Sequence, residues 1–175
     1  MKRDSALQQR LLGLFANILG YPDEGLVEQV RTAEMATARD SAEASSLLAN
    51  FRFAIETLTP ERVEEVYTAI FDLNATCHPY IGYQLFGETY KRSLFLVELQ
   101  EHYRKHSFTA PEFELADRLS VMLRFVSDCS DPELVTDIIE FGLAPSLAKM
   151  TREKEPTIKE PEQKEYNPYS SVLRA

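Results

Sequence analysis

The chain has 175 residues, of which 44% are hydrophobic and 27% charged, a composition typical of one globular domain. Its 28 acidic residues outnumber its 19 lysines and arginines, which gives a net charge of −9. Such an acidic surface disfavours binding to nucleic acid or to an anionic membrane through a general basic field. No stretch approaches the roughly 20 apolar residues of a membrane span, and the start Met1-Lys-Arg-Asp-Ser lacks the apolar core of a signal peptide. We therefore expect a cytoplasmic protein.

The first half of the chain has apolar residues at helical spacing. This spacing predicts helices over Leu7 to Ile18, from Asp23 or Glu24 through Met35, and over Leu47 to Leu58. Thr59-Pro60-Glu61 combines a capping residue, a proline and an acid, which is typical of a helix start. The helix that begins there is expected to end at Asp72, because Pro79 disfavours helix at His78. Residues 72–80 are therefore predicted to form an ordered loop.

The second half predicts three more helices. The first runs from Glu88 to His106 with an inward face of Leu94, Phe95, Leu96, Val97, Leu99 and Tyr103. The next spans about Pro111 to Asp128 and buries Leu115, Leu119, Met122, Leu123 and Val126. Asp131-Pro132-Glu133 caps the last, which carries Leu134, Ile138, Phe141 and Leu147 and is expected to kink or break at Pro145. The fold class predicted is all-α, a single-domain bundle of six to eight helices over residues 1–150.

Residues 151–175 differ in character from the rest. They hold five basic residues, five glutamates and three prolines, so we predict a flexible polar tail whose removal leaves the melting temperature nearly unchanged. Its last apolar stretch, residues 166–173, is the part able to dock. Cys77 and Cys129 are too few for a disulfide scaffold and are predicted to be small buried residues.

Two motifs resemble catalytic or ligand sites but are incomplete. The segment from Gly82 to Gly87 has the spacing of a phosphate-binding loop, yet Glu88 and Thr89 follow where the lysine should stand. His102 and His106 lie one turn apart on a helix but lack an evident third ligand. We expect no catalytic residue, no metal and no cofactor.

Two alternatives remain open at this point. A small helical metal-dependent hydrolase would use Cys77, His78, His102 and His106. A helical regulatory DNA-binding protein would need a basic recognition helix, and the one basic cluster, Lys91, Arg92, Arg104 and Lys105, is interrupted by Glu98 and Glu101. Co-purification with an untagged native partner discriminates among these alternatives and a binding protein.

Aromatic residues are dense between positions 67 and 90. Tyr67, Phe71 and Phe86 fit a helical core, whereas Asp72, Tyr80, Tyr83 and Arg92 fall in or near the predicted loop and are less easily explained by packing. Tyrosines present flat apolar surface with a polar tip, which suits peptide recognition. The segment 72–92 is therefore our candidate interaction site.

These residues also carry a family resemblance. Tyr67-x-x-x-Phe71-Asp72-Leu73, Cys77-x-x-Tyr80-x-x-Tyr83 and Phe86-Gly87-Glu88-Thr89-x-Lys91-Arg92 occur in that order, followed by Glu114-Leu115-Ala116-Asp117-Arg118-Leu119. Over about residues 67–126 the chain resembles the NarJ-type nitrate reductase delta-subunit family of molybdenum enzyme assembly chaperones, which is related to the TorD-type chaperones. Ala116 and Arg118 depart from the proline and histidine usual in that signature, and His78-Pro79 and Ser107 depart as well.

The resemblance implies an all-helical protein that is not an enzyme. Such a chaperone binds the apo catalytic subunit of a molybdopterin oxidoreductase, through the client's N-terminal segment, and holds it for cofactor insertion before membrane attachment or export. The implied client-binding residues are Tyr67, Phe71, Asp72, Tyr80, Tyr83, Arg92, Glu114, Asp117 and Arg118. Tyr80 and Tyr83 are expected to supply apolar contact, Asp72 and Asp117 to pair with basic side chains or hold the loop, and Arg92 to orient an acidic group or carbonyl.

Overall fold

The computed structural model describes residues 2–73, 78–152 and 167–175. The helices of the first half are α1 (Lys2–Ile18), α2 (Leu26–Thr37), α3 (Ala42–Glu56), α4 (Pro60–Thr68), which continues as a π-helical turn (Ala69–Leu73), and α5 (Ile81–Phe86). Those of the second half are α6 (Tyr90–Lys105), α7 (Leu119–Asp128), α8 (Pro132–Asp137), a second π-helical turn (Ile138–Leu143), α9 (Ala144–Met150) and α10 (Tyr169–Arg174). Within these described ranges the β pairing consists of one isolated bridge, between Tyr80 and Arg118.

The all-α prediction is confirmed. The second π-helical turn joins α8 to α9, so the described part of residues 1–150 contains eight continuous helices. They enclose one core, in which α1 packs on α7 and α2, α2 packs on α3, and α10 packs on α3. Of the helices in the described ranges, none is both long enough and apolar enough to cross a bilayer.

Two helix starts follow their capping residues as predicted. The Thr59 hydroxyl accepts a hydrogen bond from the Arg62 amide, and Pro60 occupies the first turn. The Asp131 carboxylate accepts hydrogen bonds from the Glu133 and Leu134 amides at 3.1 and 3.2 Å. Local sequence chemistry therefore determined where α4 and α8 begin.

The helix does not break at Pro145, one of the two outcomes expected there, but continues from α8 through a π-helical turn into α9. Residues Ile138–Leu143 widen into a π-helical turn, and Pro145 stands in the first turn of α9 just after it. A proline lacks an amide hydrogen and crowds the preceding turn, and a π-helical turn is one way in which a helix absorbs such a defect. Phe141, one of the apolar residues that this predicted helix carries, lies in the π-helical turn and is 66% exposed.

The predicted helix from Pro111 to Asp128 is wrong in its first part, because residues 111–118 are not helical and α7 starts at Leu119. The Leu119 amide donates to the Pro79 carbonyl at 2.7 Å, and the Ile81 amide donates to the Asp117 carbonyl at 2.8 Å. These two hydrogen bonds tie residues 117–119 to residues 79–81, and the Glu114 and Arg118 amides donate to the Pro111 and Leu115 carbonyls in turns that replace the predicted helix. Leu115, predicted to be buried, is 49% exposed.

The predicted inward face of α6 is also too wide. Leu99 and Tyr103 are buried, but Leu94 and Val97 are exposed. Successive residues of a helix are rotated by about 100°, so four consecutive apolar residues cannot all face the core. The helix begins at Tyr90 rather than at Glu88.

The predicted loop 72–80 begins later than expected. Asp72 and Leu73 still belong to the π-helical turn that extends α4. Residues 74–77, and with them Cys77, lie outside the described residues, and residues 78–80 connect to α5. Cys129 is buried, as predicted.

The end of the chain differs from the expected loose tail. Residues 153–166 lie outside the described residues, and the domain boundary at 150 stays a prediction. However, α10 packs Tyr169, Val172 and Leu173 into the core. The Tyr169 ring contacts the rings of Phe51, Tyr67 and Phe71 at centroid distances of 4.7, 5.6 and 5.2 Å. We therefore reverse the expectation that removing this end leaves stability unchanged.

Candidate functional site

The isolated bridge between Tyr80 and Arg118 brings the predicted site residues together. It joins the segment before α5 to the segment before α7, and α4 and α6 pack against it through Tyr67 and Arg92. All nine predicted site residues belong to this region, which we call the bridge cluster: Tyr67, Phe71, Asp72, Tyr80, Tyr83, Arg92, Glu114, Asp117 and Arg118. They come from four separate parts of the sequence.

Arg118 is the centre of one half of the bridge cluster. Its side chain is buried and donates to the Tyr67 hydroxyl at 2.6 Å and to the Glu114 carboxylate at 2.8 Å. The Asp72 carboxylate lies 3.8 Å from the same guanidinium. Burial disfavours the charge on Arg118, but the oxygens of Tyr67 and Glu114 outweigh that effect and raise the pKa of the guanidinium. One cation is thus held by two carboxylates and a phenol.

The Tyr67 hydroxyl links this half to α1. Burial raises the pKa of Tyr67, and the Arg118 guanidinium opposes that shift. The phenol therefore keeps its proton at neutral pH, and it donates that proton to the Leu19 carbonyl at 3.2 Å while accepting from Arg118. Tyr67 thereby connects the end of α1 to the bridge.

Arg92 and Asp117 form the other half. The Arg92 Nε and Nη2 atoms lie 3.0 and 3.3 Å from the two carboxylate oxygens of Asp117, which has no exposed surface. This paired geometry is the strongest that a guanidinium and a carboxylate make. Asp117 is inaccessible to a partner while Arg92 holds it, so a direct contact between Asp117 and a basic client side chain does not fit this structure.

Two tyrosine rings lie beside these cations. The Arg92 guanidinium carbon lies 5.5 Å from the centroid of the Tyr80 ring and 5.9 Å from that of Tyr83. The Arg118 guanidinium carbon lies 6.0 Å from the Tyr80 ring centroid. Tyr80 is thus within cation–π range of both arginines. Both tyrosines are half-buried, which leaves part of each ring available to a partner.

The nine residues therefore separate into two groups by exposure. Tyr67, Phe71, Asp117 and Arg118 are buried and act as a framework. Asp72 is exposed, and Tyr80, Tyr83, Arg92 and Glu114 are half-buried. A partner that approaches the bridge cluster meets this second group.

Exposed apolar residues next to the cluster were not predicted. Leu73, beside Asp72, is 76% exposed, and Phe113, beside Glu114, is 95% exposed. Tyr21 packs its ring edge against Tyr67 and donates its hydroxyl to Glu64 at 3.0 Å. Tyr21 lies in the Gly20-Tyr21-Pro22 segment that follows the end of α1. The exposure of Leu73 and Phe113 depends on the tertiary fold.

A shallow groove runs between Tyr21 and α4. Its volume is about 400 Å³, and its lining residues are Tyr21, Glu61, Glu64, Glu65, Thr68 and Leu73. It combines two exposed apolar side chains with three glutamates. The groove reaches the bridge cluster through Leu73, the neighbour of Asp72.

Gly82 is required by the close approach of α5 to the Arg92–Asp117 pair. A Cβ atom at this position would lie 2.8 Å from an Asp117 carboxylate oxygen and 2.9 Å from the Phe95 ring. We expect Gly82→Ala to lower the free energy of unfolding by about 1–3 kcal/mol, because a buried ion pair and a ring must both move. Urea unfolding measures this change.

Gly142→Ala is the matched control for that substitution. A Cβ atom there would meet its nearest neighbours, side-chain carbons of Ile81 and Met122, at 3.8 and 3.9 Å, which is ordinary contact. Its stability should stay within about 0.5 kcal/mol of the parent or rise. Equal destabilisation by both variants would contradict the role assigned to Gly82.

Potential metal ligands do not assemble in the described ranges. Among those residues, no group of three or more His, Cys, Asp or Glu side chains lies close enough together to hold a metal ion. The Cys129 sulfur lies 3.8 Å from His106 Nδ1. The hydrolase alternative therefore gains no third ligand from this part of the chain.

Comparison with known proteins relates this chain to others by its fold. No family model and no curated protein matches the sequence. Among solved structures, a crystal structure of a protein from Archaeoglobus fulgidus, provisionally described as a redox enzyme maturation protein, superposes with a TM-score of 0.60. The two chains are 23% identical, and the match covers 95% of this chain and 89% of the other. At this identity the likeness establishes the all-helical fold.

Proposed function

We propose that this chain is an assembly chaperone for a molybdopterin oxidoreductase of the nitrate reductase type. It binds the N-terminal segment of the client's apo catalytic subunit in the cytoplasm. It holds that subunit for cofactor insertion and releases it for membrane attachment or export. In this proposal the chaperone is not an enzyme and needs no cofactor of its own.

The observation that carries the proposal is the convergence of the family-like motifs. Residues from positions 67–72, 80–92 and 114–118 meet around the bridge between Tyr80 and Arg118. Most of their polar groups bind one another, as in the pairs of Arg92 with Asp117 and of Arg118 with Glu114. Such a rigid, paired arrangement is suited to presenting a fixed surface to a peptide. The description of the similar fold from Archaeoglobus fulgidus supports the same class of function.

The accessible residues suggest how a client segment is held. The half-buried rings of Tyr80 and Tyr83 offer flat apolar contact, and the exposed Leu73 and Phe113, next in sequence to Asp72 and Glu114, add apolar surface. Asp72 is the exposed carboxylate nearest to this surface. The framework residues Tyr67 and Arg118 keep these groups in place rather than contacting the client.

The charge of the chain favours a basic client segment. The net charge is −9, and residues 151–175 contribute nothing to it because their five basic and five acidic residues cancel. The groove beside the bridge cluster adds Glu61, Glu64 and Glu65. Attraction of this kind speeds encounter more than it tightens the final complex, so association should slow as salt rises.

The proposal predicts specific losses of client binding. The peptide of the client's N-terminus should bind with a dissociation constant of about 1 µM or lower, about −8 kcal/mol. Tyr80→Ala should weaken binding by about 1–2 kcal/mol, because a partly exposed ring becomes a buried anchor in the complex. Asp72→Asn should weaken binding less, and its effect should shrink at high salt. Isothermal titration calorimetry and recovery of active client measure both effects.

Phe141→Ala is the matched control, since Phe141 is an exposed ring on the second π-helical turn, outside the bridge cluster. It should bind the peptide like the parent. If Tyr80→Ala and Asp72→Asn keep normal melting temperatures, bind the peptide normally and mature the client normally, the site assignment is wrong. Failure of the chain to co-purify with any molybdenum enzyme subunit would contradict the function itself.

A further inference from the structure

Helix α6 has a second apolar face that points away from the core. Tyr90, Leu94 and Val97 are 75%, 47% and 56% exposed. Their spacing of four and three residues places them in one line along the helix, as in the seam of a coiled coil. Leu99 and Tyr103, on the opposite side, are buried. We call the line of Tyr90, Leu94 and Val97 the outer stripe.

The charged residues beside the outer stripe follow a definite order. Exposed side chains alternate in blocks along the chain as an acid, a base, two acids and two bases: Glu88, Lys91, Glu98, Glu101, Arg104 and Lys105. The other base of the helix, Arg92, belongs to the inward face and is paired with Asp117. A base on one side of the middle of the outer stripe therefore corresponds to acids at a similar distance on the other side.

That order complements itself when two copies of α6 lie antiparallel. With Leu94 against Val97 of a second copy, Lys91 comes within a helical turn of Glu98 and Glu101 of that copy. Tyr90 then faces Glu101 of that copy. A parallel pair would instead place like charges side by side, which is unfavourable. Charge order and apolar spacing thus select the same arrangement.

We propose that two copies of this chain associate through α6 in an antiparallel pair, with Tyr90, Leu94 and Val97 as the apolar seam. The 16 residues of α6 span about 24 Å. One such helix pair buries less than the roughly 1,200–2,000 Å² of a standard interface, so the dimer is weak, with a dissociation constant of about 10–100 µM. The inference does not rest on the proposed function, because the outer stripe is separate from the bridge cluster.

Sedimentation of the full chain over a range of concentrations tests the proposal. The mass should rise from 20.0 kDa towards twice that value. Leu94→Glu should raise the dissociation constant at least about tenfold, since it places two like charges at the seam. Met35→Glu is the matched control, because Met35 is an exposed apolar residue of α2 and is 71% exposed. It should sediment like the parent, and circular dichroism should show unchanged helicity in both variants.

Charge reversal tests the antiparallel order. Lys91→Glu and Glu98→Lys should each weaken the dimer, and the double variant should recover part of the loss because the opposed signs are restored. The proposal is overturned if the parent stays monomeric up to about 0.5 mM, if Leu94→Glu dimerises like the parent, or if the double variant is no better than the single ones. The proposal is also overturned if the chain is monomeric at every concentration and Leu94→Glu loses client binding. In that case the outer stripe is a contact surface for the client.

Discussion

Replacement of Tyr169 by alanine should lower the free energy of unfolding by about 3–5 kcal/mol, the usual cost of removing a fully buried ring. Tyr169 has no exposed surface and contacts the rings of Phe51, Tyr67 and Phe71. A loss of this size is a large part of the stability of an ordinary domain. For a chain of this length it corresponds to a fall in melting temperature of about 10 °C or more. Removing residues 167–175 should cost at least as much.

Tyr169→Phe should raise the free energy of unfolding, in contrast to Tyr169→Ala. The Tyr169 hydroxyl is buried and has no hydrogen-bond partner among the residues that the structure describes, and an unsatisfied buried hydroxyl costs about 1–3 kcal/mol. Removing it while keeping the ring should therefore raise the free energy of unfolding by about 1 kcal/mol. Thermal and urea unfolding of the two variants measure both changes. An alanine variant as stable as the parent would show that α10 does not dock, and a destabilised phenylalanine variant would show that the hydroxyl has a partner.

Asp117→Asn should lower the free energy of unfolding by about 3 kcal/mol, because it leaves the Arg92 guanidinium without its counter-charge in a mostly buried site. The carboxylate has no exposed surface, and the Arg92 side chain is 19% exposed. The Gly82 backbone lies close to the pair, since a Cβ atom there would be 2.8 Å from an Asp117 carboxylate oxygen and 3.2 Å from an Arg92 side-chain carbon. Client binding should fall only as far as the folded fraction falls.

A double-mutant cycle measures the interaction energy between Arg92 and Asp117 separately from the contacts that each makes with other residues. Arg92→Gln combined with Asp117→Asn should cost less than the sum of the single changes, with a coupling of about 1–3 kcal/mol. Asp137→Asn, the same change at an exposed position of α8, should stay within about 0.5 kcal/mol of the parent. An Asp117→Asn chain that is fully stable but no longer binds the client would return Asp117 to the role of a direct client contact.

Helix starts were predictable where a local signal exists. Thr59-Pro60 and Asp131-Pro132 begin α4 and α8 because a capping oxygen and a proline act within a few residues of chain. The error between Pro111 and Leu119 has the opposite cause. The periodic apolar residues there fit a helix, but hydrogen bonds to Pro79 and Ile81 tie residues 117–119 to another part of the chain, and the residues before them form turns. Those partners lie more than thirty residues away, beyond the reach of a periodicity argument.

In the candidate site, too, some features were predictable from the sequence and others depend on the tertiary structure. The motifs around Tyr80, Arg92 and Asp117 indicated which residues belong together, since their order along the chain resembles a known family. Which of them a partner can reach depends on burial, and burial followed from the pairing of Arg92 with Asp117 and of Arg118 with Tyr67. A sequence pattern does not reveal that a charged residue is satisfied internally.

The sequence by itself determined the helical class and the starts of α4 and α8, because each depends on local spacing or on a local capping residue. The tertiary structure decided which apolar residues are buried, as Tyr169 is and as Leu94 and Val97 are not. Burial depends on what packs against a face, and the rings that cover Tyr169 of α10 belong to Phe51, Tyr67 and Phe71, far earlier in the chain. For that reason the C-terminal segment, predicted to be a polar tail, ends with α10 in the core. Helix α6, predicted to have a wide buried face, keeps Leu94 and Val97 exposed.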